Sequence, residues 1–133
     1  MAKIIKTKAL KEDKTYEPPL AIGFGIDHKT IEDPKMVMGY TFIPPGGRNQ
    51  RHYHVKNPAG MYIIKGRMRA FIGPDHNKQE FIIEAGDFVY VPQGEIHGIY
   101  NLSETEPAEL VFCYPGVSSK EEAQTIFVEP PWK

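Results

Sequence analysis

Short apolar segments, separated by turns that contain glycine or proline, recur along this chain of 133 residues. The 12 glycines and 12 prolines fall mostly between these segments, a punctuation that is typical of β-structure. The pattern predicts ten strands, over residues 20–26, 36–43, 52–55, 61–64, 67–72, 80–83, 88–91, 98–102, 109–114 and 125–128.

Strands this closely spaced, with turn residues between them, predict an all-β sandwich or barrel. The helical signal lies at residues 118–124, where two serines precede acidic residues, so we expect at most a short C-terminal helix. We expect a single domain over residues 1–133, with a core at about 20–115 and arms at 1–16 and 129–133. Trp132 would be an apolar anchor on the second arm.

Three histidines carry the clearest chemical signal. His52 and His54 are separated by one residue on a predicted strand, so their side chains point to the same face. His97, which follows Pro92 and Gly94 and directly precedes the predicted strand at residues 98–102, can complete a metal site from a second strand. Imidazole suits divalent iron, zinc, copper and nickel. The other two histidines, His28 and His76, lie in polar turns, and we interpret them as surface residues.

The spacing around these histidines resembles the cupin superfamily. The first cupin motif is matched by Gly46, five residues, His52-Tyr53-His54 and a closing Gly66. The second cupin motif is matched at every position. The matching residues are Gly86, Pro92, Gly94, His97 and Asn101. The resemblance spans about residues 36–114. It implies a double-stranded β-helix, a small jelly-roll barrel with the metal inside.

The chain departs from the cupin pattern at one ligand. Ala59 stands seven residues before Gly66, where the family usually has glutamate, and no acidic residue lies between His54 and Asp75. The chain therefore resembles the three-histidine cupins, among them the diketone-cleaving and thiol dioxygenases, which use Fe(II). Asn57 is an alternative fourth ligand, although the following Pro58 favours a loop position.

Three neutral ligands leave a divalent ion with its full charge, which favours an anion inside an apolar barrel. Open coordination positions would take a chelating substrate and dioxygen or water. The expected substrate is a small bidentate anion, such as an enolate, a 2-oxo or 2-hydroxy acid, or an aminothiolate.

Apolar and aromatic residues on the neighbouring strands are candidates for a substrate pocket. Ala59, Met61 and Ile63 share one phase of a strand. The flanking strands supply Tyr40, Phe42, Phe88, Tyr90, Phe112 and Tyr114. Ordinary core packing is the alternative for each of them.

Charged residues offer weaker candidates. Arginines that could contact a substrate carboxylate, or simply lie in solvent, are Arg48, Arg51, Arg67 and Arg69. Glu95 is either a proton shuttle or a loop acid, and Cys113 is expected to be a small buried residue.

Composition narrows the classes of function. The net charge of -1 gives no reason to expect a nucleic-acid or membrane partner. The lone cysteine excludes an intramolecular disulfide and fits a reducing compartment. Without an apolar leader or membrane-length segment, we expect a cytoplasmic protein.

The first functional hypothesis is a dioxygenase-type enzyme with Fe(II) on His52, His54 and His97. The second is a non-redox isomerase, decarboxylase, lyase or cyclase that uses Zn(II), Ni(II) or Mn(II). The third is a small-molecule-binding barrel without catalysis. Exposed strand edges in a small sheet also predict a homodimer.

Overall fold

Two five-stranded antiparallel sheets pack against each other in the computed structural model, which describes residues 1–15 and 20–130. The strands are β1 (Ala21–Ile26), β2 (Met36–Ile43), β3 (His52–His54), β4 (Ala59–Lys65), β5 (Arg67–Ile72), β6 (Gln79–Glu84), β7 (Phe88–Val91), β8 (His97–Asn101), β9 (Ala108–Pro115) and β10 (Thr125–Phe127). Short 3₁₀ turns lie at Thr7–Ala9 and Asp75–Asn77. The all-β prediction is confirmed. The prediction for Trp132 lies outside the described residues.

Strands that are distant in sequence lie side by side in both sheets. The first sheet has the order β1-β2-β9-β4-β7, and the second has the order β10-β3-β8-β5-β6. Each histidine strand, β3 or β8, is therefore an inner strand of the second sheet, and the C-terminal β10 pairs with β3. No helix within the described ranges is long and apolar enough to cross a membrane.

The alternation of burial along β2 shows how the two sheets form the core. Val37, Thr41 and Ile43 are 0 to 7% exposed, whereas Met38 between them is 39% exposed. Inward residues of facing strands, including Ile63, Met68 and Leu110, complete a buried cluster. Because successive side chains point to opposite faces, each strand contributes every second residue to this interior.

The end of the barrel beside β8 is closed by Asn101, which is 1% exposed. Its amide nitrogen donates to the carbonyl oxygens of Ile43, Pro44 and Glu106 at 3.3, 3.2 and 2.9 Å. Its amide oxygen accepts from the Ser103 backbone nitrogen at 3.1 Å. The asparagine that ends the second motif is thus a structural clamp between β2, β8 and the following loop.

The predicted C-terminal helix at residues 118–124 is a single turn in the structure. The Glu122 backbone nitrogen donates to Ser119 Oγ at 3.1 Å, as a serine cap should, and the Glu122 carboxylate accepts from the Ser118 backbone nitrogen at 3.3 Å. Gln124 then adopts φ 53°, which reverses the chain into β10. The turn therefore stops where pairing with β3 begins.

Candidate metal centre and its cavity

The structure brings His52, His54 and His97 together between the two sheets. His52 and His54 are alternate residues of β3, and His97 is paired directly with His52 across β3 and β8. The ring centroid of His52 lies 5.0 Å from that of His54 and 4.3 Å from that of His97. One ring nitrogen of each histidine lies within 4.8 Å of the other two, a spacing that a single ion can bridge.

Hydrogen bonds at the outer nitrogens orient all three rings. His52 Nδ1 donates to the Gln50 carbonyl oxygen at 2.7 Å, and His97 Nδ1 donates to the Glu95 carbonyl oxygen at 3.0 Å. Since a carbonyl oxygen can only accept, these two rings carry their proton on Nδ1 and keep a lone pair on Nε2. The third ring, His54, has its Nδ1 2.9 Å from Thr125 Oγ1 on β10.

His54 Nε2 is buried and has no hydrogen-bond partner among the described residues. A buried nitrogen lone pair without a partner is costly unless something else satisfies it. Three inward imidazole nitrogens form a donor set that suits a divalent transition metal. The residues therefore fit a metal ion on the motif histidines.

Burial keeps the imidazoles neutral. Desolvation, followed by the nearby His97, lowers the pKa of His54 to about 4. Desolvation, followed by His97 and His54, places the pKa of His52 well below its ordinary value, although its bond to Gln50 opposes this. Desolvation also lowers the pKa of His97. Neutral rings are the ligating form, so the site is ready for a metal near neutral pH.

No carboxylate joins the three histidines in the described part of the chain. Ala59 is 2% exposed and lies on β4 opposite them, where it lines the same cavity. Asn57 is 1% exposed; its amide nitrogen donates to the Pro58 carbonyl oxygen, and its amide oxygen is buried without a partner. Asn57 does not line the cavity, so the cluster consists of neutral imidazoles.

A cavity of about 480 Å³ extends from the histidines between the sheets. Of the predicted pocket residues, Ala59, Met61, Phe112 and Tyr114 line it. Ile63 is fully buried in the adjoining core and does not reach the cavity.

Four aromatic residues predicted for the pocket lie elsewhere. Phe88 and Tyr90 are 84% and 72% exposed on the outer face of β7, because Val89 and Val91 take the inward phase of that strand. Tyr40 and Phe42 occupy the outward phase of β2, where Tyr40 Oη donates to Glu12 Oε2 at 2.8 Å. These four side chains point outward because of their position in the alternation of the strand, although they are aromatic.

The predicted anion-binding arginines do not line the cavity either. Arg51 is a buried structural residue, whose guanidinium donates to Asp75 Oδ1 at 2.5 Å and to the Gly73 carbonyl oxygen at 2.7 Å. Arg48 lies over the Tyr100 ring at 5.5 Å. The outer-face pairs are Arg67 with Glu84 and Arg69 with Glu80, at 3.7 and 3.8 Å.

Glu95 and Cys113 also lie away from the cavity. Glu95 contributes its backbone carbonyl to His97, while its side chain lies in an outer groove near β6 and β7. Cys113 occupies the outward phase of β9 and is half-buried, and this burial raises the pKa of its thiol.

The ends of the chain supply cavity residues that sequence reasoning missed. They lie at or just before β1, on β2, and before and within β10: Leu20, Ile22, Phe24, Thr41, Lys120, Glu121, Gln124, Thr125 and Phe127. The one available signal was the predicted strand at 125–128, but its pairing with β3 depends on contacts far apart in sequence.

An ion pair at the cavity wall joins the two ends of the chain. Asp13 forms a β-bridge with Ile22 and pairs with Lys120, whose ammonium lies 5.5 Å from the Phe24 ring centroid. Burial would raise the pKa of Asp13, but hydrogen bonds from Lys120 and Thr15 outweigh it and lower the pKa to about 2. Asp13 therefore balances the charge of Lys120 at neutral pH.

The sequence of residues 39–114 matches the family model described as Cupin domain, which covers more than half of the chain. The chain belongs to the cupin family. Comparison with curated protein sequences found no match.

Solved cupin structures share the fold. An oxalate decarboxylase from Lactobacillus farciminis matches with a TM-score of 0.74 and 21% identity, over 91% of this chain and 34% of that one. An oxalate oxidase matches with a TM-score of 0.74 and 17% identity, over 94% and 63%. The polyketide cyclase RemF from Streptomyces resistomycificus matches with a TM-score of 0.75 and 16% identity, over 98% and 87%. The chain thus spans less than two thirds of the two oxalate-acting structures, and the jelly-roll prediction is confirmed.

Replacing Thr125 with valine removes the oxygen that holds His54 Nδ1. We expect metal affinity to fall about tenfold, as is common when the hydrogen-bond partner of a metal-binding histidine is lost. Thr125→Ser keeps the hydroxyl and should restore most of the affinity. Competition against a chromophoric chelator measures both, and equal affinities in the wild type and Thr125→Val would contradict this role.

The metal-free protein should lose stability as the pH falls from about 7 to about 5. The unfolded imidazoles take protons near their ordinary pKa, whereas His54 in the folded chain resists until about pH 4, so acid favours unfolding. His54→Gln removes one of these groups and should make the fall in Tm smaller. Exposed His28, changed to Gln, is the matched control. An equal fall in the wild type and His54→Gln would contradict the assignment.

Proposed function

We propose that this cupin is a metal-dependent enzyme that binds a chelating anion, most simply a dioxygenase-type enzyme with Fe(II) on His52, His54 and His97. The observation that carries the proposal is that, in the described residues, no carboxylate joins the histidine cluster, which lies next to a mostly apolar cavity. Bound Fe(II) would supply the electrons that activate dioxygen and the charge that attracts the anion.

The protein's own residues hold the reactants and exclude water. The ion would keep its full double charge because its ligands are neutral, and Lys120, which also lines the cavity, is balanced by Asp13. Anion selection therefore depends on the ion and not on cavity side chains. The walls formed by Met61, Phe112 and Leu110 would keep water from a reactive substrate.

A non-redox reaction is the second candidate, and one observation favours it. Glu121 and Tyr114 line the cavity and offer groups that can move a proton to or from an enolisable substrate. Zn(II), Ni(II) or Mn(II) on the same histidines would serve as a Lewis acid. Two of the similar structures, the oxalate decarboxylase and the polyketide cyclase, bear names in this class of reaction.

Oxygen uptake separates the two candidates. Iron-loaded protein, purified anaerobically, should consume dioxygen with acetylacetone, a small aminothiol or a 2-oxo acid, and His52→Ala should lose both iron and uptake. His28→Ala is the control because His28 is exposed and outside the cluster. Fully iron-loaded protein that consumes no oxygen with any of these would contradict the dioxygenase proposal. Turnover without oxygen would select the Lewis-acid reaction.

We also propose that the protein works as a homodimer in the cytoplasm. The lone cysteine is compatible with a reducing compartment. Strand β7 is the edge of its sheet, and its exposed Phe88 and Tyr90 form an apolar surface with Tyr62, whose ring lies 4.8 Å from that of Phe88. A large exposed aromatic surface beside an unpaired strand edge suits pairing with a second copy.

Charge placed on this surface should separate the subunits. Phe88→Glu is expected to raise the dimer dissociation constant at least about tenfold, since it buries a charge in an apolar contact. Met38→Glu, at an exposed position on the outer face of β2, is the control. Sedimentation velocity measures the change. A monomeric wild-type protein, or a Phe88→Glu protein that remains dimeric, would contradict the proposal.

A further inference from the structure

The cavity is longer than a small chelating anion needs. An aromatic wall leads away from the histidines: the His54 ring lies 4.7 Å from Tyr114, Tyr114 lies 5.0 Å from Phe112, and Phe112 lies 5.8 Å from Phe24. A volume of about 480 Å³ falls in the range of pockets that hold whole organic ligands. An anion of a few atoms would leave most of this wall uncovered.

Gly39 keeps this wall open. It lies in register between Phe24 and Phe112, and a Cβ there would come within 2.9 Å of the Phe112 ring and 2.2 Å of the Gly23 carbonyl oxygen. The Phe112 ring therefore occupies space above β2 that any larger residue would take. The local sequence thus shapes an apolar aromatic surface beside the metal centre.

Beyond that surface lies one polar side chain in an apolar setting. Thr41 is in register with Ile22 on β1 and Leu110 on β9, and all three line the cavity. Thr41 is 7% exposed and lines the cavity, and its hydroxyl makes no hydrogen bond to residues 1–15 and 20–130, so it is open to the cavity. Valine would fit a strand equally well, so the Thr41 hydroxyl adds a hydrogen-bonding group to a part of the cavity wall that is otherwise apolar.

Strand geometry gives the distance along β9 between the level of His54 and the level of Thr41. Tyr114, which packs on His54, and Leu110, which pairs with Thr41, are four residues apart on β9. At a rise of about 3.3 Å per residue, Thr41 lies roughly 13 Å along the strand from the level of His54.

Resting on the proposed function, we infer that Thr41 is a specificity-determining residue that binds the far end of an elongated substrate. That substrate has a chelating anionic end at the histidines, an apolar body against Phe112 and Phe24, and a terminal hydrogen-bonding group at Thr41. A terminal polar group of matching reach satisfies the Thr41 hydroxyl, whereas a terminal methyl group leaves it unpaired. A site built in this way discriminates by the loss of a hydrogen bond.

Paired hydroxamic acids provide the probe, because they are bidentate anionic chelators of adjustable length. One series ends in a methyl group and the other in a hydroxyl, and each grows by one carbon from acetohydroxamic acid. Protein loaded with Co(II) reports binding through its visible spectrum. The quantity measured is the ratio of dissociation constants within each methyl and hydroxyl pair, in which changes in metal affinity cancel.

We expect the hydroxyl-ended member to bind about tenfold better than its partner at one chain length, and not at short lengths. Thr41→Val should remove this preference, Thr41→Ser should retain it, and Thr105→Val in an exposed loop is the matched control. A preference that is absent at every length, or that persists in Thr41→Val, overturns the inference alone. If acetohydroxamic acid leaves the cobalt spectrum of the wild type unchanged, the proposed function fails and the inference fails with it.

Discussion

The candidate site depends on holding three neutral imidazoles close together in a buried space. Each ring must be desolvated, and each must present a lone pair and not a proton to its neighbours. Bonds from Nδ1 to Gln50, Glu95 and Thr125 orient the rings, and burial keeps them uncharged. Two of these acceptors are backbone carbonyls only two residues before the histidine they hold, so the strand itself sets the ring orientation. The third is long-range and exists because β10 pairs with β3.

The difference between local and long-range contacts also determines how far the site can be predicted from sequence. Alternation along β3 and the glycine and proline spacing before His97 place the histidines, because both are local properties of strands and turns. Thr125 and Lys120 were missed because they reach the cavity through pairing across the whole chain. Phe88 and Tyr90 were misplaced because aromatic content does not say which phase of a strand faces inward. The valines beside them decide it.

In the fold, too, local features could be predicted from the sequence and long-range ones could not. All ten strands lie within two residues of the predicted apolar segments, since glycine or proline residues mark many of the turns between them. The order of strands within the sheets could not be read in this way. It is set by burial of the inward faces and by buried polar clamps such as Asn101, which joins segments over fifty residues apart.

Small residues affect both the charge at the histidine cluster and the volume of the cavity beside it. Where many cupins have a glutamate ligand, this chain has Ala59, so one position loses both a negative charge and the volume of a side chain. The lost charge would leave a dication on the histidines without a carboxylate ligand, because no acidic side chain joins the cluster in the described residues. The gained volume is continuous with the wall that Gly39 keeps open beside Phe112. The proposed attraction for anions and the proposed room for a long apolar ligand therefore have one source, small residues on the sheet that faces the histidines.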